Sequence, residues 1–180
     1  MSQIKEYYQK TVIPILKEKL GYKNIMELPK INKVVVSVGI NSQNKDPKVL
    51  ELVIDILKKI TGQVPAKKQA KKSIAGFKIR KGMVVGVVAT LRGNKMHDFL
   101  DRLIKVTLPR LRDFRGVSPS VVDKTGNLSL GFRESIAFPE MQSDNIERSH
   151  GLEVTISVKA KKREDSLELL KLLGFPLKEK

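Results

Sequence analysis

The sequence predicts an α+β fold, an antiparallel sheet with helices on one face, and three observations carry that prediction. Leu152, Val154, Ile156 and Val158 alternate with polar residues, the period of a strand with one solvated face. Val49, Leu50, Val53, Ile54, Leu57 and Ile60 instead recur at helical spacing and make one broad apolar stripe. Between residues 34 and 158, segments of the two kinds follow the order strand, helix, strand, strand, helix, strand, which suits an antiparallel sheet better than a parallel one.

At the start, Ser2 can cap a helix whose Ile4, Tyr8, Val12 and Ile15 face inward. Pro14 should kink or restart it, and Gly21 should end it. Tyr7 and Tyr8 are adjacent and cannot both face the core. After Leu28-Pro29, the β-branched run Val34, Val35, Val36 and Val38, closed by Gly39, reads as a buried strand. Asp46 caps and Pro47 opens the next helix, stopped by Thr61-Gly62. A short strand then leads into a basic loop, and residues 83–91 return as a second β-rich run. Asn94 is read as the cap of a helix with Met96, Phe99, Leu100, Leu103 and Ile104 inward, ended by Pro109. Gly126-Asn127 should turn a hairpin between Val121-Val122 and residues 128–132. Following the alternating strand, a last helix places Leu167, Leu170 and Leu173 on one side before Gly174 and Pro176.

This is the split, ferredoxin-like order β-α-β-β-α-β with an inserted hairpin and an extra N-terminal helix, in a single domain without repeats or linkers. An RNA-recognition motif shares that order, but its third strand carries stacking rings. Here Lys81-Gly82 is followed by Met83, Val84, Val85 and Gly86. Any RNA binding must therefore use edges, loops and hydrogen bonds rather than aromatic stacking on the sheet.

Charge points to a polyanion. The 180 residues include 35 basic and 19 acidic ones, for a formal charge of +16, which a compact state tolerates best when a polyanion neutralises it. The excess concentrates in residues 67–82, KKQAKKSIAGFKIRKG, inside a stretch free of acids from Asp55 to Asp98. Ile74, Ala75, Gly76 and Phe77 form a small apolar tip between two cationic arms, a feature that solvation alone does not require. A ring and a glycine flanked by lysines suit a nucleic-acid backbone with a base or ribose to lean on.

Enzyme and membrane readings fare poorly. His97 and His150 are the only histidines and there is no cysteine, so no metal-ligand cluster forms in sequence. Residues 62–68 lack the second glycine and the Lys-Ser ending of a phosphate loop. Asp98 and Asp101 share a helical side with basic neighbours, as surface ion pairs. The longest uncharged apolar run, residues 83–91, is well short of the roughly 20 residues that span a bilayer. A soluble, cytoplasmic protein is expected.

Five blocks, TGQ at 61–63, KKSIAGFKIRKG at 71–82, PRLRDFRG at 109–116, GNLSLGFRE at 126–134 and FPE at 138–140, closely resemble the bacterial ribosomal protein L-five family. The similarity runs in family order from the YY near the start to the GFP near the end. It implies a structural constituent of the large ribosomal subunit that binds 5S rRNA and attaches it to 23S rRNA in the central protuberance, beside other ribosomal proteins. It further implies contact with P-site tRNA and, across the subunit interface, with the small-subunit head protein thirteen. No catalysis, cofactor, metal or small-molecule substrate is implied.

Carried over by position, the resemblance assigns 5S contacts to Gln63 and Thr90, with Lys67 and Lys68 beside them. Where many relatives carry asparagine before Gly-x-Gly, this chain reads Ser37-Val38-Gly39-Ile40-Asn41, so Ser37 offers a hydroxyl in place of an amide and Asn41 is a candidate substitute. The tRNA arm would comprise Lys71, Lys72, Ser73, Ile74, Gly76, Phe77, Lys78, Arg80 and Lys81. Arg110, Arg112, Phe114 and Arg115, with the loop beyond Phe138, match the inter-subunit bridge and could equally grip 23S phosphates.

Overall fold

A computed structural model describes residues 3–40, 47–111, 114–141 and 150–178. Helices α1 (Gln3–Tyr7) and α2 (Ile13–Leu20) precede strand β1 (Lys30–Gly39), helix α3 (Pro47–Thr61), and strands β2 (Ala66–Gln69) and β3 (Val84–Leu91). Helices α4 (Gly93–Arg102) and α5 (Leu108–Arg110), strands β4 (Leu128–Phe132) and β5 (Leu152–Lys159), and helix α6 (Arg163–Leu172) complete the chain. The strands form one open antiparallel sheet in the order β2-β3-β1-β5-β4, so the mixed α+β class and the expected element order both hold.

Burial alternates along the strands as their sequences require. Val34, Val36 and Val38 in β1, Val87, Ala89 and Leu91 in β3, and Leu152, Val154, Ile156 and Val158 in β5 are buried. The positions between them in β1, including Val35 and Ser37, are only half-buried. β1 also begins at Lys30, so it is a longer strand with one open face and not the short, fully buried one expected from its valines.

The chain divides into two compact units, each assembled from separate segments. One takes residues 1–34, 92–130 and 155–180; the other takes 35–91 and 131–154. In the first, Val12, Leu16, Leu100, Ile156, Leu169 and Leu170 are completely buried. In the second, Val53, Ile56, Leu57 and Ile60 of α3 are buried, and Phe132 packs on Phe138 with ring centroids 5.3 Å apart. Ile54 is only half-buried, and Ile56 takes the core position that the stripe assigns to it. In α6 and at its C-cap, Leu170 and Leu173 are buried as expected, Leu169 beside them is buried too, and Leu167 is only half-buried.

Pro14 and Pro109, each inside a helical run, are handled by one device. A π-helical turn at Tyr8–Val12 precedes Pro14, and another at Leu103–Thr107 precedes Pro109. In each, the residue before proline donates its N–H five residues back, Ile13 to Tyr8 and Leu108 to Leu103. The wider turn takes up a ring that would otherwise meet the carbonyl four residues behind it. Helical geometry therefore restarts at Ile13, and at the second site continues through Pro109 to Arg110, so Pro109 does not end it as expected. The extra residue also keeps the inward spacing at four: Ile4, Val12 and Leu16 are buried, whereas Ile15 is not. Gly21, with φ of 67°, closes α2 as expected.

Two further expectations are corrected. Asn94 does not cap α4; Arg92 is at the cap position, and the Asn94 side-chain oxygen accepts a hydrogen bond from Lys5 Nζ at 3.3 Å. The inserted hairpin has one strand, β4, because Pro119–Val121 forms a 3-10 turn and only Val122 bridges to Leu128. Pro119 lacks a donor for a ladder, and Ser118 caps the turn by accepting from the Ser120 N–H. The Gly126-Asn127 turn itself is present. Gly126 has φ of 90° and donates to the Asp123 carbonyl at 3.1 Å. Ser2 and Asp46, read as caps, lie outside the described residues.

Candidate nucleic-acid interface

The end of α3 sets the first part of the site. Gly62, at φ of 63°, donates to the Lys58 carbonyl at 2.8 Å and turns the chain out of the helix. The buried Thr61 hydroxyl donates to the Leu57 carbonyl at 2.6 Å and accepts the Gln63 N–H at 3.4 Å. This directs Gln63 toward β3, where its Nε2 donates to the Thr90 carbonyl at 3.3 Å. Gln63 and Thr90, 27 residues apart, are thus joined, with the Gln63 side-chain oxygen still able to accept.

Ser37 shares the open side of the sheet with Thr90. Both are half-buried residues on the strand faces opposite the core, in the adjacent strands β1 and β3. Gly86 lies on that side of β3 as well, and a Cβ there would come within 3.0 Å of the Val38 carbonyl. A glycine inside a β-rich run is the one sequence signal that could have revealed this close backbone approach. No aromatic residue lies on this side of β1 or β3, in agreement with the absence of stacking rings from the sequence there. Asn41 lies outside the described residues.

β2 is the edge strand, paired antiparallel to β3 with Ala66 opposite Val88, Lys67 opposite Val87 and Lys68 opposite Gly86. All four of its residues are exposed, and a bulge separates Lys68 from Gln69. Lysines on an edge discourage pairing with another sheet. Val64, at the root of β2, is 68% exposed, a large apolar surface that no periodicity in the sequence marks out.

Beyond β2 the basic segment is a bonded finger rather than a plain loop. Ala70 donates to Met83 at 2.8 Å and accepts from Gly82 at 3.0 Å. Farther out, Ile74 and Ile79 exchange backbone hydrogen bonds of 2.9 and 3.2 Å around a 3-10 turn, Ala75–Phe77. Lys78 takes the left-handed conformation at φ of 53°, and Ser73 Oγ accepts the Lys81 N–H at 2.9 Å. Two β-branched isoleucines flank the turn, which is why so short a ladder closes. Lys71, Lys72, Ser73, Gly76, Lys78, Arg80 and Lys81 are all exposed, as are Ile74 and Phe77, the latter by 65%. No carboxylate among the described residues pairs with a cation of this finger.

In the other unit, Arg110 ends α5 exposed, Phe114 is half-buried with its N–H on the Leu111 carbonyl, and Arg115 is exposed. Gly116, at φ of 84°, leads into Val117, which pairs with the chain end: the Val117 N–H meets the Pro176 carbonyl at 2.8 Å, and the Lys178 N–H meets that of Val117 at 2.9 Å. Arg112 and residues 142–149 lie outside the described residues. Asp101 pairs with Lys105 at 2.8 Å, as the helical spacing suggests. Among the described residues, no group of three or more potential ligands could hold a metal ion, and no helix is long and apolar enough to cross a membrane.

Comparison with known proteins converges on one family. Residues 24–80 match the family model for ribosomal protein L5, and residues 84–177 match that for the C-terminus of the same ribosomal family. Large ribosomal subunit protein uL5 of Thermoanaerobacter sp. (strain X514) is 48% identical over 176 residues, 98% of each chain. The protein of the same name from Natranaerobius thermophilus is 49% identical over 176 residues, again 98% of each, and that of Syntrophomonas wolfei is 48% identical over 178 residues, covering 99% of this chain and 100% of its own. With two matched regions covering most of its length and near-half identity from end to end, this chain belongs to the ribosomal protein L5 family.

Proposed function

We propose that this chain is a structural, non-catalytic constituent of the large ribosomal subunit that binds 5S rRNA and attaches it to 23S rRNA in the central protuberance. The observation that carries the RNA-binding reading is the finger at residues 70–83: a folded, exposed element whose cations have no acidic partner among the described residues. Such a surface costs self-repulsion unless phosphates neutralise it. Ser37, Gln63 and Thr90, with Lys67 and Lys68 on the neighbouring edge, form the 5S surface, where hydroxyls and amides serve in place of stacked rings. The finger contacts P-site tRNA, with Phe77 against a base or ribose. Arg110, Phe114 and Arg115 meet 23S rRNA or the small-subunit head protein thirteen, and the protein works in the ribosome of the cytoplasm.

The test is binding of the isolated protein to 5S rRNA, to tRNA and to an unrelated hairpin at one salt concentration. A clear preference for 5S rRNA is expected. Equal affinity for all three would leave only a general polyanion binder.

A further inference from the structure

A cavity of about 180 Å³ opens beside α1, α4 and the start of β1, within the unit formed by residues 1–34, 92–130 and 155–180. Ile4, Ile31, Leu100, Ile104, Leu173 and Phe175 supply its apolar wall. An apolar cavity of about 150 Å³ is enough to hold a benzene ring, so this one has room for a flat ring system. Its remaining lining is polar or cationic, with Lys5 and Lys30, Tyr8, Gln9 and His97, and no carboxylate among them.

Those polar groups have a recognisable division of labour. Lys30 is exposed, and Lys5 donates only a 3.3 Å hydrogen bond to Asn94, so both ammonium groups remain able to meet an anion. The Tyr8 hydroxyl donates to the Pro29 carbonyl at 3.1 Å, which leaves its oxygen as an acceptor. Burial, aided by the nearby charge of Lys5 and only partly opposed by the carboxylate of Asp98, holds His97 below its ordinary value, so at neutral pH the ring offers one donor and one acceptor. An apolar wall for a ring, acceptors and a donor for its edge, and two cations in the same lining match the parts of one nucleotide.

We propose that this cavity receives the base of a single unstacked RNA nucleotide, with its phosphate held by Lys5 and Lys30. The choice of a nucleotide among flat anions rests on the RNA-binding reading above. The residues concerned are separate from the Gln63–Thr90 pair and from the finger.

The test is amide NMR of the isolated full chain titrated with AMP, GMP, CMP and UMP in turn, with inorganic phosphate and benzoate as controls. Saturable shifts are expected at residues 4–9, 97–104 and 173–175 with at least one nucleotide, and not with either control at the same concentration. The double substitution Lys5→Gln and Lys30→Gln, at a half-buried and an exposed side chain, should weaken that binding about tenfold, as loss of charge-assisted hydrogen bonds does. Ile104→Phe should fill the slot and abolish it; if that variant does not fold, the lysine pair still decides. No response to any of the four nucleotides, an equal response to benzoate, or undiminished binding by the lysine variant would each overturn the proposal. Because no 5S rRNA is present, this outcome is read independently of which RNA the other unit binds.

Discussion

The side-chain amide of Gln63 donates to the backbone carbonyl of Thr90 across 3.3 Å, fastening the turn after α3 to the end of β3. The bond uses one of the two amide hydrogens and leaves the rest of the group for a ligand. Gln63→Ala should therefore weaken 5S rRNA binding by roughly 1 to 3 kcal/mol, the cost of leaving polar partners unpaired. Filter binding at fixed salt measures it, and unchanged affinity would remove Gln63 from the surface.

Ser37 lies on the same open side of the sheet, at a position where the resemblance implies an asparagine in many relatives. Its half-exposed position leaves room for a longer side chain, so Ser37→Asn should bind 5S rRNA as well or better, by about 1 kcal/mol at most for one added neutral hydrogen bond. A large loss in the same assay would mean that this part of the surface has been reshaped.

The finger closes on its own hydrogen bonds, so replacing residues 73–80 with a short Gly-Ser turn should leave folding and 5S binding nearly intact. For every phosphate that the finger neutralises, its removal should flatten the salt dependence of P-site tRNA binding by roughly 0.7 to 0.9 in log-log slope. Phe77→Ala should keep that slope and cost on the order of 1 to 3 kcal/mol, since stacking on a ring carries no charge. Ribosomes reconstituted with each variant supply the comparison. If the shortened finger loses 5S binding while its fold survives, the finger is the anchor and its assigned partner is wrong.

Gly126 turns at φ of 90°, and a Cβ there would overlap Ser166 Oγ and come within 2.9 Å of Ser166 Cβ, in a side chain with no exposure at all. Gly126→Ala should cost at least about 2 kcal/mol from backbone strain and overpacking together. Gly131→Ala, with nothing within 4 Å and no positive φ, is the control. Denaturant midpoints that fall equally for the two variants would refute the steric account.

Asp123 holds the turn before β4 through its carboxylate, which accepts from the backbone and side chain of both Thr125 and Asn127 at 2.8 to 2.9 Å. Desolvation pushes its pKa up, but these hydrogen bonds outweigh it and bring the value from 3.8 to about 2. As pH falls, the folded state thus keeps the charge while the unfolded chain takes up a proton. The stability it contributes is complete above about pH 4 and is lost as pH falls through about 2. The difference in thermal midpoint between the natural chain and Asp123→Asn should shrink over that window. A constant difference would show that the carboxylate's charge does not matter there.

By itself the sequence determined the order of elements, the alternating strand at Leu152 to Val158, the helix at α3 and the cluster of cations at residues 67–82, because periods of 2 and 3.6 and the density of charge are local properties. The family, too, was legible in blocks of glycine and arginine at fixed offsets. Tertiary structure decided the rest. Whether Pro109 ends a helix depends on whether a turn upstream can widen, and the Asn94 side chain, read as a cap, instead meets Lys5, 89 residues away. The bond from Gln63 to Thr90, the one-sided burial of β1 and the slot beside α1 arise only when distant segments meet, and no local pattern encodes the partner that arrives.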